Sequence, residues 1–134
     1  MASIRREIEI ACEPAHVWDA VRDVGAIHTR LAPGFVIDTV LEPGLRIVTF
    51  ANGLVAREAI IDSDDGTRRL AWAISNERLS HYHASLQVFA GAQGGTRLVW
   101  IADLQPDSMK ERIAATIETG LATMKAHLER GAAA

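Results

Sequence analysis

The chain has 134 residues, of which 49% are apolar and 23% charged, with a formal net charge of −3. This is ordinary globular usage at a length that buries roughly two-thirds of the unfolded surface, so a disordered or fibrous chain is excluded and one domain spanning residues 1–134 is expected. The balance offers no basic excess for nucleic acid, and no apolar run approaches the ~18 residues of a membrane span.

The first ten residues, Met-Ala-Ser-Ile-Arg-Arg-Glu-Ile-Glu-Ile, interleave charges with apolar side chains and lack the continuous apolar stretch of a signal peptide. A cytoplasmic location is the resulting expectation. Cys12, the single cysteine, has no internal disulfide partner and no basic neighbour to activate it, so it reads as a small buried hydrophobe.

Residues 3–10 alternate Ile4, Arg6, Ile8 and Ile10 against Ser3, Arg5, Glu7 and Glu9, the period-two pattern of a strand. Glu13-Pro14 opens a helix with proline at its favoured first position and Val17, Trp18 and Val21 on one side. A second helical turn is expected over Val24 to Leu31, ended by Ala32-Pro33-Gly34. Turn signals then fall at Glu42-Pro43-Gly44, Asn52-Gly53, Ser63 to Gly66 and Gly91 to Gly95. They divide the chain into strands near 35–42, 44–51, 54–62, 67–75, 80–90 and 95–104. After Pro106 a helix capped near Asp107 or Ser108 should run to Arg130, stop at Gly131 and leave residues 131–134 as a flexible tail. Its stripe of Met109, Ile113, Ile117, Leu121, Met124 and Leu128 makes one long apolar face. Methionines in such a stripe usually fill a core, although they also suit adaptable pockets.

Alternation sorts each strand into two rows, and antiparallel pairing obliges the rows to agree from strand to strand. One row carries Val48, Phe50, Ala56, Ile60, Leu70, Trp72, Ile74, Ala84, Leu86, Val88, Leu98, Trp100, Ala102 and Leu104, and is the concave face. The other holds Arg57, Arg69, His81, His83, Gln87, Arg97 and Asp103 and faces water. Three residues break the apolar row: Arg46, Glu58 and Tyr82. Charges aimed into an apolar interior are costly unless they pair or meet a ligand. Three accounts follow. Arg46 and Glu58 form a structural ion pair at the rim with Tyr82 donating a hydrogen bond, or all three line a cavity and orient or protonate a ligand, or the register is slipped by one residue. Trp18, Phe35, Phe50, Trp72 and Trp100, with Ile117, Leu121 and Met124 of the helix, would supply the apolar wall, and His28 would stand at the mouth.

The order and spacing of these motifs resemble the polyketide cyclase/dehydrase branch of the START-like, helix-grip (SRPBCC) superfamily. The resemblance is carried by Pro14, Val17-Trp18, Asp23, Pro33, Gly44-Leu45-Arg46, Asn52-Gly53, Arg57-Glu58, Asp64-Asp65, Arg69 to Trp72, Tyr82, Thr96 to Trp100 and Pro106, across essentially the whole chain. It implies an α+β helix-grip fold, a seven-stranded curved antiparallel sheet wrapped around the last helix with two short helices after the first strand. It also implies binding of hydrophobic small molecules, with only some members being enzymes. A plant enzyme of the superfamily is similar in placing an arginine, a glutamate and a tyrosine on successive strands facing its cavity, which here correspond to Arg46, Glu58 and Tyr82.

Other chemistries find little support. His81-x-His83 lies on the expected outer face, too few ligands for zinc, so no metal is expected. Gly91 to Gly95 joins two antiparallel strands and is a hairpin, not a phosphate loop. No nucleophile motif occurs, and Asp62, Asp64 and Asp65 are turn residues without a calcium-loop length. Two functions therefore compete: a carrier of a hydrophobic molecule with a polar end, and a cofactor-independent cyclase, dehydratase or isomerase with Glu58 as acid/base and Arg46 and Tyr82 stabilising charge. A protein-partner module using the outer face is a third. A homodimer is the fair expectation for assembly, dimers being common.

Overall fold

The computed structural model describes residues 1–133. Strand β1 (Ala2–Ile10) leads to helix α1 (Pro14–Arg22) and a short wide turn, Ile27–Leu31. Then come β2 (Val36–Glu42), β3 (Leu45–Phe50), β4 (Val55–Asp64), β5 (Arg69–Ile74), β6 (His81–Ala90) and β7 (Thr96–Gln105), followed by helix α2 (Lys110–Ala133). The seven strands form one antiparallel sheet in the order β1-β7-β6-β5-β4-β3-β2. The long meander from β2 to β7 is closed by β1, which returns to pair with β7 and packs against α2. This is the helix-grip arrangement expected from the sequence.

The rows hold because the register does. Arg46 pairs with Glu58, Glu58 with Ile74, and Tyr82 with Leu104, so all face the helix together. The register slips once between β4 and β5, at Ile60/Asp62. That bulge accommodates extra length in β4, which continues to Asp64, where the side-chain carboxylate accepts the Gly66 N–H at 2.8 Å and shapes the turn. Ile4, Ile10, Val17, Val21, Leu98 and Leu104 fill the core between sheet and helices.

Two expectations change. The helical turn expected over Val24 to Leu31 is a single wide turn in which the Ala32 N–H reaches back five residues to Ile27 O at 2.8 Å. Arg30 holds it to α1, donating to Asp23 at 2.9 Å and to Asp19. Gly34 then takes φ +92°, a left-handed conformation that a side chain disfavours, to turn the chain into β2. At the other end, α2 does not stop at Gly131 but continues to Ala133, the poor helix former Gly131 being followed by alanines, the best ones. The tail expected from residue 131 is thus helical to Ala133, and Ala134 lies outside the described residues.

Candidate ligand-binding site

Between the concave sheet and α2 lies a cavity of about 1060 Å³, at the upper end of the roughly 300–1,000 Å³ typical of small-molecule sites. Its exposed lining residues lie chiefly on three segments: the β3–β4 hairpin with Leu54 and Val55, the β5–β6 loop with Glu77 and Arg78, and the first turns of α2 with Arg112 and Thr116. These three segments form the mouth.

Arg46, Glu58 and Tyr82 converge inside it. All three are buried, at 4%, 5% and 5% exposure. Arg46 Nε donates to Glu58 Oε1 at 2.7 Å, and its guanidinium carbon sits 5.1 Å from the Trp72 ring centroid. The ion pair of the first account and the cavity placement of the second are therefore both present, and the slipped register is not. Burial pushes the Glu58 carboxyl above its ordinary range, with the Arg46 charge and hydrogen bond opposing but not cancelling that rise. Burial also pushes the Tyr82 hydroxyl far above the usual phenol range, reinforced by the nearby Glu58 charge. The adjacent Trp100 indole N–H leans toward the Tyr82 oxygen and opposes the shift in part, yet among the described residues Trp100 Nε1 has no partner in good hydrogen-bond geometry. Tyr82 is thus held in its neutral form, with a hydroxyl proton to offer a hydrogen bond. It is not a ready source of protons.

Phe35, Phe50, Trp72 and Trp100 form the aromatic wall, packed edge-to-face in pairs with centroids 5.5 Å apart for Phe35–Phe50 and 5.6 Å for Trp72–Trp100. Ile117 and Met124 line the helix side. Gly120 lies between them and is the reason the rings approach so closely: a Cβ there would stand 3.0 Å from Phe35 Cε2 and 3.3 Å from Trp100 Cζ3. Thr116, Thr119 and Thr123 also face the cavity, but each hydroxyl donates to the carbonyl four residues back, at 3.1, 3.1 and 2.9 Å.

Three expected lining residues lie elsewhere. Trp18 is buried in the core with its indole N–H donated to Asp65 Oδ1 at 2.8 Å, which turns it away from the cavity. Leu121 is buried too, one position beyond Gly120 on the helix, and packs in the core. His28 is half-buried in the wide turn, with Nδ1 enclosed and unpartnered, and does not reach the wall. Conversely, Arg78 and Arg112 line the mouth and were not singled out. Arg112 was accessible to the same reasoning that exposed Arg46, since positions 109, 112, 113, 116, 117, 120 and 124 share one helical face and Arg112 interrupts it. Arg78 lies in a loop, where no periodicity marks direction.

On the convex face, His81 and His83 stack with centroids 4.8 Å apart and planes 8° from parallel. Parallel rings hold their nitrogen lone pairs in separate planes, which does not converge on one ion. Among the described residues no group of three metal-ligating side chains gathers, and no helix is long and apolar enough to cross a membrane. Cys12 is buried, its thiol 3.2 Å from Leu128 O, and burial raises it out of the reactive range.

A curved sheet gripping a helix over an apolar cavity with a few buried polar groups defines a START-like architecture. The chain belongs to the family described as polyketide cyclase / dehydrase and lipid transport, which matches residues 1–129. Among solved structures it resembles a protein of Bacillus thuringiensis at 16% identity and TM-score 0.86, covering 95% of this chain and 98% of that one. The protein XoxI of Bacillus cereus is similar at 19% identity and TM-score 0.84, covering 98% and 99%. The di-domain ARO/CYC protein BexL of the BE-7585A biosynthetic pathway is similar at 13% identity and TM-score 0.83, covering 96% of this chain and 47% of BexL. No curated protein matches the chain in sequence.

Proposed function

We propose that residues 1–134 act as one domain that binds a hydrophobic small molecule, of lipid, polyketide or aromatic kind, in the cavity and carries it in the cytoplasm. The observation that carries this reading is the cavity itself, walled by aromatic and aliphatic side chains and interrupted inside by a single buried Arg46–Glu58 pair. An apolar body is favoured by the wall, at roughly 25 cal/mol per Å² of apolar surface removed from water. A polar group on the ligand would be met by Arg46, Glu58, the Tyr82 hydroxyl and the unpartnered Trp100 N–H, with Phe35, Phe50, Trp72, Ile117 and Met124 around its body. Family membership supports a hydrophobic ligand or a cyclase-type reaction without choosing between them. Native mass spectrometry of protein purified gently from its host tests the proposal. A co-purifying small molecule is expected; a chain that is empty and also takes up no apolar dye in solution sinks it.

The second reading is a cofactor-independent cyclase, dehydratase or isomerase, and one observation favours it. Glu58 is a buried carboxyl held above its ordinary range beside a guanidinium, the direction in which burial tunes an acid/base carboxyl. In that mechanism Glu58 moves the proton, Arg46 stabilises developing negative charge, and Tyr82 donates a hydrogen bond to the same oxygen. Glu58→Gln separates the readings, since it keeps the shape and removes the titratable group. A carrier retains ligand binding and has no turnover to lose; an enzyme keeps binding and loses roughly 10²–10⁴ in rate. Turnover that survives the substitution undiminished rules out the acid/base role.

A further inference from the structure

The charge on the cavity's surface runs against the rest of the molecule. The chain as a whole is acidic, at −3, yet its lining carries three arginines, Arg46, Arg78 and Arg112, against two glutamates, Glu58 and Glu77. Inside, Arg46 is taken up by Glu58 at 2.7 Å. At the mouth, Arg78 on the β5–β6 loop and Arg112 on α2 are exposed, and among the described residues neither takes part in an ion pair. Most other arginines of the chain do so: Arg5, Arg6, Arg22, Arg30, Arg57 and Arg97 all lie within 4.0 Å of a carboxylate.

We infer that the ligand is an amphiphilic acid that enters apolar end first and leaves its anionic group at the mouth, between Arg78 and Arg112. The inference rests on the cavity being a hydrophobe site, as proposed above, and adds the chemical class of the ligand's outward end. The interior is the wrong place for the acid. Arg46 is already balanced by Glu58, so a second carboxylate beside the pair would leave an uncompensated negative charge in an apolar pocket, which is costly. At the mouth an anion keeps much of its hydration and meets two guanidinium groups that present planar donor pairs to a carboxylate, one more positive charge than the Glu77 carboxylate there balances. Arg112 belongs to the same helical face as Ile113, Thr116 and Ile117, so an acid held there sits at the head of the apolar wall, not on an unrelated surface. Because both arginines are exposed, their discrimination is modest: a few-fold to about tenfold in affinity is the scale for two solvated pairs.

Three twelve-carbon probes with one tail and different heads read this directly: dodecanoate, dodecanol and dodecylamine, competing against Nile red near pH 8 and low ionic strength. Dodecanoate is expected to bind about tenfold more tightly than the alcohol and to lose that margin as salt is raised. The double variant Arg78→Gln/Arg112→Gln should bind dodecanol as the wild type does and dodecanoate no better than dodecanol. Equal binding of all three heads, or preference for the amine, overturns the inference while leaving the hydrophobe reading intact. An acid preference that persists in the double variant overturns the assignment to the mouth. Failure of every probe and of Nile red to bind removes the underlying reading as well. Both positions are exposed, and an unchanged unfolding midpoint of the double variant shows that any loss is not one of folding.

Discussion

The two ends of the gripped helix are finished in different ways. Near the C-terminal end of α2, polar groups satisfy one another. Trp18 and Arg22 both donate to Asp65, Thr96 Oγ1 donates to Cys12 O at 2.8 Å, and the Ala11 N–H is taken by Glu129 at 2.8 Å. Near the N-terminal end the cavity opens among Arg78, Arg112, Leu54 and Val55, while Trp100 Nε1 behind them has no partner among the described residues. A polar group that already has its partner belongs to the architecture, and one on the cavity wall still without a partner is open to what the cavity holds. The difference between the ends separates what holds the fold from what the fold presents.

The strongest way to break that contrast is Arg46→Met, because Arg46 spans both roles. It strands Glu58 as a buried carboxylate without its cation, and a loss of about 3–5 kcal/mol is expected in chemical denaturation near neutral pH. The pH dependence follows from the sign of the Glu58 shift. Its folded-state pKa is raised above the ordinary 4.5, so the folded protein keeps a proton that the unfolded chain has released. The resulting stability is complete below the unfolded carboxyl's range and is lost as pH rises through the raised value. Arg46→Met should widen this loss and be least harmful in mild acid. A penalty independent of pH would show that packing, not charge, is what Arg46 supplies.

At the closed end a smaller effect is expected from Asp65→Ala, which leaves the part-buried Trp18 indole N–H without its acceptor and costs about 1–2 kcal/mol. Binding at the cavity should stay unchanged, since neither residue lines it; a variant that loses ligand affinity without unfolding would show that the two ends are coupled. The smallest change in stability, within about 1 kcal/mol either way, is expected for Gly120→Ala midway between them. The better helix propensity of alanine offsets the displacement of Phe35 and Trp100 by a few tenths of an ångström. Its signature lies in selectivity: bulky ring ligands should lose affinity relative to flexible chains in a paired titration, and an unchanged ratio would mean the rings do not set the cavity's shape.

Most of this architecture was legible in the sequence because a strand that faces a helix must alternate, and one misplaced charge in such a row stands out. Arg46, Glu58 and Tyr82 were found that way. The same logic overreached at Trp18 and Leu121, where periodicity gives the inward direction but does not distinguish an inward side chain that meets solid core from one that meets a void. Arg112 was readable from the helical face, yet a single arginine among Met109, Ile113 and Ile117 is easily taken for the edge of the stripe. Arg78, on a loop, and the wide turn that keeps His28 off the wall depend on backbone hydrogen bonding that no short pattern encodes.

The three threonines of α2 have a consequence of their own. With each hydroxyl folded back onto its own helix, the wall offers methyl groups, and an apolar molecule sliding past meets hydrocarbon. The three hydroxyls are thus already committed to the backbone, so this wall differs from the opposite one, where Arg46, Glu58 and Tyr82 concentrate the cavity's polar groups.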